Sequence, residues 1–500
     1  YSKLVICLRK MCLLIKVWAN SQMSSESKKI KIGLEVHCQL TSLKTKLFCN
    51  SPSDYREKPP NTNICPVCIG TPGSLPVLNR NALNYATMVA SSLNFEIMSH
   101  MIFFRKNYFY PDMSKNFQIT QYDRAGGVPF AINGYILLNN GRKIRLGRMQ
   151  LEEDPAKISY DGTIESSSET YVDYNRAGIA LIEIVTEPDL ESPSDAREFL
   201  NKLSSILEHL NVLDLGLEGS VRCDANISHR GGKRVEIKNI SSFKEVERAL
   251  NFEMTRQKSL ASKGISVSQE TRHWDDVRRI TISLRLKEEE QDYRYFPEAD
   301  LVPVALSETF IERINHDMPE LPKEREIRFQ QEYNHSSEIA RVLVKDKYLA
   351  DYSEKAAKES IAPREVGILL AVNLPPFLNE IGKDLKSLDV APEHFAELAD
   401  MISKEEVSRR SAKTIFLEML KTGQKPRNIF DKKGLDVISD SKSIADIVTK
   451  VFKDNPEAVK DAVKDAKAIN FLLGKIMQET RGRVDPSIAN KLIKKKLSAQ

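Results

Sequence analysis

The stretch Ile32–Leu40, IGLEVHCQL, reads as a buried strand that carries a carboxylate and an imidazole two positions apart. Successive strand side chains point to opposite faces, so Glu35, His37 and Gln39 share one face while Leu34, Val36 and Cys38 share the other. Such a pair can hold a divalent cation or shuttle a proton. Alone it also fits the polar side of an edge strand. The acidic strands further along the chain decide between the two.

In KIRLGRMQLEED, Glu152 and Asp154 fall on one strand face and Glu153 on the other, just before Pro155 and Lys157. The apolar strand within YVDYNRAGIALIEIVTEPDL sets Glu183 among Leu181, Ile182, Ile184 and Val185. An unpaired carboxylate buried there is costly, so Glu183 is expected to have a partner: a metal ion, Arg176 or Lys157. GSVRCDANIS offers Arg222, Asp224 and Asn226 on one face, and KRVEIKNISSF offers Glu236 and Lys238 with Asn239 beside them. Cations and amides so arranged suit phosphate and carbonyl oxygens.

Between the first strand and a helix expected over Arg80–Leu93 lies a Pro-, Asn-, Ser- and Gly-rich segment containing Cys49, Cys65 and Cys68. Cys65-Pro-Val-Cys68 is half of a zinc knuckle. Ser51, a poor zinc ligand, stands where the set would be completed, and Cys38 substitutes only if the strand end lies close. A knuckle without metal is the competing reading.

Residues 30–300 are expected to form one α+β unit on an antiparallel or mixed sheet. From about Ser307 the pattern turns helical, giving a helical domain over 301–395, and a break near Ala391–Pro392 precedes a tail domain over 396–500. Charge divides the same way. Residues 401–500 carry 22 Lys and Arg against 13 Asp and Glu, whereas residues 31–400 are net acidic. A polyanion would meet the tail first, at Arg481, Arg483 and the run Lys494, Lys495, Lys496.

Seven scattered cysteines point to a reducing compartment. No run reaches the roughly 18 apolar residues of a membrane span, so no membrane partner is expected. Met23 opens a polar lead-in before the first strand, so residues 1–22 read as lying upstream of the true start, and residues 1–29 as an extension outside the fold. The rival is a mitochondrial presequence. The localisation expected is cytoplasmic, or the mitochondrial matrix if that presequence is genuine.

Taken together, IGLEVHCQL, PNTNICPVCIGTPGSLPVLN, RKNYFYPD, QITQYD, MQLEED, LIEIVTEPD, RCDANIS, EIKNISSF and DYRYFPEAD strongly resemble the B subunits of glutamine-dependent aspartyl/glutamyl-tRNA amidotransferases, from about Ile32 to the C-terminus. The resemblance implies a glutamine-synthetase-like cradle, a helical domain and an all-α YqeY-like tail that touches tRNA. It also implies a reaction: ATP phosphorylates the side-chain carboxylate of a misacylated Asp- or Glu-tRNA, and ammonia freed from glutamine by a partner displaces the phosphate. The implied partners are A and C subunits in a heterotrimer, the misacylated tRNA and a non-discriminating aminoacyl-tRNA synthetase.

Carried over motif by motif, Glu35, His37, Glu152, Glu153 and Glu183 are the catalytic candidates, with Glu35, His37, Glu152 and Glu183 around Mg2+. His37 is an uncommon magnesium ligand, so proton transfer is its other expected role. Lys157, Arg222, Asp224, Asn226, Lys238 and Asn239 form the expected ATP side, and Cys49, Cys65 and Cys68 the zinc set in doubt. There is no P-loop and no dinucleotide fingerprint. Two other readings compete: a non-catalytic tRNA-binding scaffold, and a ligase acting on a free amino acid, which leaves the basic tail without a use.

Overall fold

The computed structural model describes residues 30–124, 126–161, 167–229, 231–286, 293–435, 441–464, 466–480, 484 and 486–498. The expectations for residues 1–29, Arg481 and Arg483 lie outside the described residues. Strand β1 (Ile30–Gln39) alternates as its sequence requires, with Leu34, Val36 and Cys38 in the core.

Eight further strands join β1 in one sheet: β2 (Glu96–Ile97), β5 (Ala131–Leu137), β6 (Lys143–Glu153), β7 (Ala180–Thr186), β8 (Val221–His229), β9 (Val235–Ile240), β10 (Glu270–Asp275) and β11 (Ile280–Leu286). Their order is β11-β10-β9-β8-β1-β7-β6-β5-β2. Only β9 and β10 run parallel, so the sheet is mixed, as expected. A smaller sheet joins β3 (Phe104–Asn107), β4 (Phe117–Thr120) and β12 (Phe296–Pro297).

One apolar core joins the sheet to helices α1 (Arg80–Ser92), α2 (Pro193–His209) and α3 (Phe243–Ser262). Fully burying each Leu, Ile or Val there contributes about 1.5–3 kcal/mol, which fixes β1 in a register that presents Glu35 and His37 on the opposite face. Helices α2 and α3 start where Ser192 and Ser242 accept hydrogen bonds from the backbone N–H of Asp195 and Glu245. In α2, Pro193 sits in the first turn, where its missing N–H costs nothing.

The chain divides into two compact units, the second beginning at Pro322. The boundary expected near 300 falls short, because Val304–Ala305 pairs with His100–Met101 and Leu306 enters the first core. The described residues from Pro322 onward are helical, with one apolar cluster from Phe329 to Leu435 and another from Ile444 to Ile493. The division expected at 395/396 cuts the first of these, since Phe395 packs on Tyr352 and Phe416 with ring centroids 5.6 and 6.0 Å apart. Among the described residues no helix is long and apolar enough to cross a membrane.

Candidate functional site

Register builds the site. His37 stands opposite Glu183 on β7 and Arg222 on β8, and Glu35 stands opposite Asp224. Glu183 faces Gln150 on β6, so Glu152, two residues on, lies on the same side of the sheet. Three carboxylates therefore converge on one nitrogen: His37 Nε2 is 3.4 Å from Glu183 Oε2, 3.6 Å from Glu152 Oε1 and 3.8 Å from Glu35 Oε1. Donor atoms of Glu35, His37 and Glu183 all lie within 4.8 Å of one another. Thr120 Oγ1 on β4 donates to Glu152 Oε2 at 2.9 Å, and Arg148 reaches Glu183 at 3.6 Å.

The electrostatics follow. Burial alone would depress the His37 imidazole, but its hydrogen bond with Glu183 and the charges of Glu152, Glu183 and Glu35 lift it to about 9. Burial and the neighbouring Glu183 charge raise both Glu35 and Glu152. Burial works against Glu183 as well, yet His37, Arg148 and Lys106 hold its carboxyl below the usual range. The cluster can hold a hard divalent cation or keep a proton on His37 Nε2.

The remaining candidates are placed unevenly. Arg222 donates to Asp154 at 2.5 Å, and Lys238 lies 2.6 Å from Asp224 and 3.4 Å from Glu236, all beside the cluster. Asn226 is half-buried on the same face, paired with Gly33 and Glu236. Glu153 is separated from the cluster: Lys115 holds both its oxygens at 2.5 and 2.6 Å, and the Ile119 N–H donates to it. Lys157 lies on the hairpin Lys157–Tyr160/Thr170–Asp173 and pairs with Glu218. Asn239 takes φ 62° beside a register shift and contacts His273 Nδ1 at 3.1 Å.

The expected partners of Glu183 are corrected. Arg176 donates to the carbonyls of Pro155 and Ala156, and Lys157 is committed to Glu218, so His37 and Arg148 serve Glu183. Arg148 was discoverable, because it continues the alternation Arg148, Gln150, Glu152. Thr120 and Lys106 belong to another sheet, and no periodicity links them to β1.

Cys49, Cys65 and Cys68 do come together, their sulfurs within 4.8 Å. Ser51 Oγ lies 3.8 Å from Cys68 Sγ, and the fully buried Lys46 brings Nζ to 3.6 Å from the same sulfur. Three sulfurs with a hydroxyl and an ammonium do not complete a closed tetrahedral zinc set. Cys38 does not supply the missing sulfur within that group.

A mixed sheet with a carboxylate–imidazole centre, followed by an all-helical region, defines a two-part protein whose first part has the build of a catalytic domain. The GatB/GatE catalytic domain family matches residues 30–312, and a further GatB domain matches 351–497. The B subunits of aspartyl/glutamyl-tRNA(Asn/Gln) amidotransferase from Sulfurisphaera tokodaii and Saccharolobus solfataricus are each 47% identical to this chain, over 93% and 94% of it and 99% of their own lengths. That from Thermotoga maritima is 43% identical over 94% of this chain and 99% of its own. The chain belongs to this family of amidotransferase B subunits.

Proposed function

We propose that the chain activates the side-chain carboxylate of aspartate or glutamate carried on a misacylated tRNA. The γ-phosphoryl group of ATP passes to a carboxylate oxygen, giving an acyl phosphate and ADP. Ammonia then attacks the acyl carbon, phosphate leaves, and the nitrogen loses a proton as the amide forms. The ammonia comes from glutamine at a partner A subunit, a C subunit completes the heterotrimer, and a non-discriminating synthetase supplies the tRNA. The compartment is the cytoplasm, consistent with free Cys38, Cys49, Cys65, Cys68 and Cys223.

What carries the reading is the excess of acid at one point: Glu35, Glu152 and Glu183 face a single imidazole nitrogen. Other buried acids are neutralised by structural cations. Glu153 has Lys115, and Glu253 has Arg256 with Arg272 nearby. A surplus of carboxylates in a half-buried site is unfavourable unless a ligand offsets it.

The carboxylates fit magnesium, which takes hard oxygen ligands; Glu35 and Glu183 would hold it, with Glu152 adjoining and His37, an uncommon magnesium ligand, beside them. When bound, that ion supplies neutralisation of the phosphate oxygens in transfer. The chain's own groups do the rest. Thr120 fixes the Glu152 carboxylate, Arg148 restrains Glu183, and His37 keeps or releases a proton at Nε2. Arg222 and Lys238, oriented by Asp154 and Asp224, line the flank where ATP phosphates arrive. Lys494 and Lys495 are exposed on the last helix, where tRNA phosphates are met. No step is assigned to the cysteine knuckle.

The test is reconstitution with A and C subunits, followed by transamidation assays on Asp-tRNA and Glu-tRNA separately. Amide product on at least one, dependent on ATP and magnesium, is expected. Product formed without ATP consumption would overturn the reading.

A further inference from the structure

A cleft of about 580 Å³ is lined chiefly by Tyr108, Phe109, Phe117, Tyr293, Arg294 and Phe296. Its volume is in the range of small-ligand sites. Two of its rings are open to solvent, Phe109 being 82% and Phe296 45% exposed, while Tyr108, Phe117 and Tyr293 are half-buried. Exposed aromatic side chains gathered at one opening mark a binding surface.

A chain of ring contacts and one strand pair link the cleft to the site. Tyr108 and Tyr293 meet edge to face at 6.0 Å, Tyr293 meets Tyr295 at 6.2 Å, and Tyr295 stacks on Tyr122 at 4.0 Å and 7°. Lys106 Nζ lies 5.0 Å from the Tyr293 ring and 5.9 Å from that of Tyr108. Along β3 and β4, the pair Asn107/Phe117 borders the cleft, and the pair Phe104/Thr120 ends at the residue that holds Glu152. That is three residues, or roughly 10 Å, about the reach of a nucleoside with an amino acid esterified to it.

We propose that this aromatic cleft holds the unpaired 3′-terminal nucleotide of the aminoacyl-tRNA, stacking its base on Phe109 and Phe296 so that the attached side-chain carboxylate reaches Glu152 and Glu183. Bases of single-stranded ends are bound by stacking on exposed aromatic rings. Of the cations in the lining, Lys115 is committed to Glu153, and Arg222 and Lys238, assigned above to the ATP phosphates, come from β8 and β9 and not from this lining. The proposal rests on the function argued above and adds where the acceptor end sits.

The test compares the full chain with Phe109→Ala/Phe296→Ala, both side chains being exposed and removable without opening the core. Affinity is measured for intact aminoacyl-tRNA, for tRNA trimmed of its 3′-terminal nucleotide, and for magnesium-ATP. In the unaltered chain, trimming is expected to weaken binding about ten-fold, as for one stacked base. The double variant should bind intact tRNA about ten-fold more weakly, lose sensitivity to trimming and bind ATP as before. Weaker ATP binding with sensitivity to trimming retained would assign the cleft to the adenine of ATP and overturn the proposal, as would no change in any arm. Absence of ATP-dependent activation by the unaltered chain would overturn the proposed function alone, because trimming reads binding and not chemistry.

Discussion

His37 Nε2 lies 3.4 Å from Glu183 Oε2 across the β1–β7 ladder, and this contact joins two strands separated by more than a hundred residues of chain. Arg148 adds a second cation to Glu183, and Glu152 and Glu35 add two more carboxylates to His37. The imidazole is held charged by carboxylates that burial would otherwise neutralise.

Glu153 and Glu152 are neighbours with opposite fates, which gives a first prediction. Glu153→Gln leaves the half-buried Lys115 ammonium without its partner beside the buried position 153, and breaking such a pair on one side costs up to about 3–5 kcal/mol. The melting temperature should fall, with activity lost only in proportion to folded protein. A stable variant that had lost activation would instead place Glu153 in the chemistry.

Alternation in the sequence exposed the members of the site lying on β1, β6, β7 and β8, because one buried face forces every second residue to the other. It also put Glu153 on the other face from Glu152. What it could not reveal was the Lys115 that occupies Glu153, since that lysine arrives from a loop with no periodic relation to β6. Asn239 escaped for another reason: the register shift between β8 and β9 turns it toward His273. Lys157 left the sheet on its hairpin. The three knuckle cysteines were legible from spacing, whereas the buried Lys46 against Cys68 was not.

The isolated chain should release no ammonia from glutamine. Cys38 is buried and its thiol is pushed up to about 12, and Cys223 is likewise buried and raised. The hydrogen bond from Cys49 helps bring Cys68 down to about 4, but that sulfur is buried beside Lys46 and Ser51 with no imidazole in the group. Ammonia production by the purified single subunit would refute this.

Removing residues after 435 separates the two apolar clusters of the helical unit without cutting either. Residues 441–500 hold 13 Lys and Arg against 7 Asp and Glu. The truncated chain should remain folded, bind tRNA more weakly and show a shallower dependence of affinity on salt. Equal affinity with an unchanged salt slope, measured by titration at several ionic strengths, would remove the tail from tRNA binding.

His335 predicts an acid-sensitive step. Burial lowers its imidazole to about 4 among Phe329, Tyr333 and Gly367, below the unfolded value near 6.5. The unfolded chain therefore takes up the proton first, so stability is complete above about pH 6.5 and is lost as pH falls toward 4. His335→Leu should flatten the melting temperature over that window. The separate loss from Glu354, held at about 2 by Arg328, Lys358 and Arg325 against the opposing effect of burial, should persist below about pH 4.5.

The central claim is that Glu35, His37, Glu152 and Glu183 form one magnesium-dependent activating centre. Its most direct test is magnesium-dependent ATP consumption by Glu152→Gln in the presence of misacylated tRNA, recorded beside its melting temperature and tRNA affinity. The account predicts consumption reduced about 100-fold or more, tRNA affinity unchanged, and a melting temperature no lower than that of the unaltered chain, because one of three mutually repelling carboxylates is gone. A well-folded Glu152→Gln chain that consumes ATP at the unaltered rate would contradict it and leave the strands as a scaffold for tRNA.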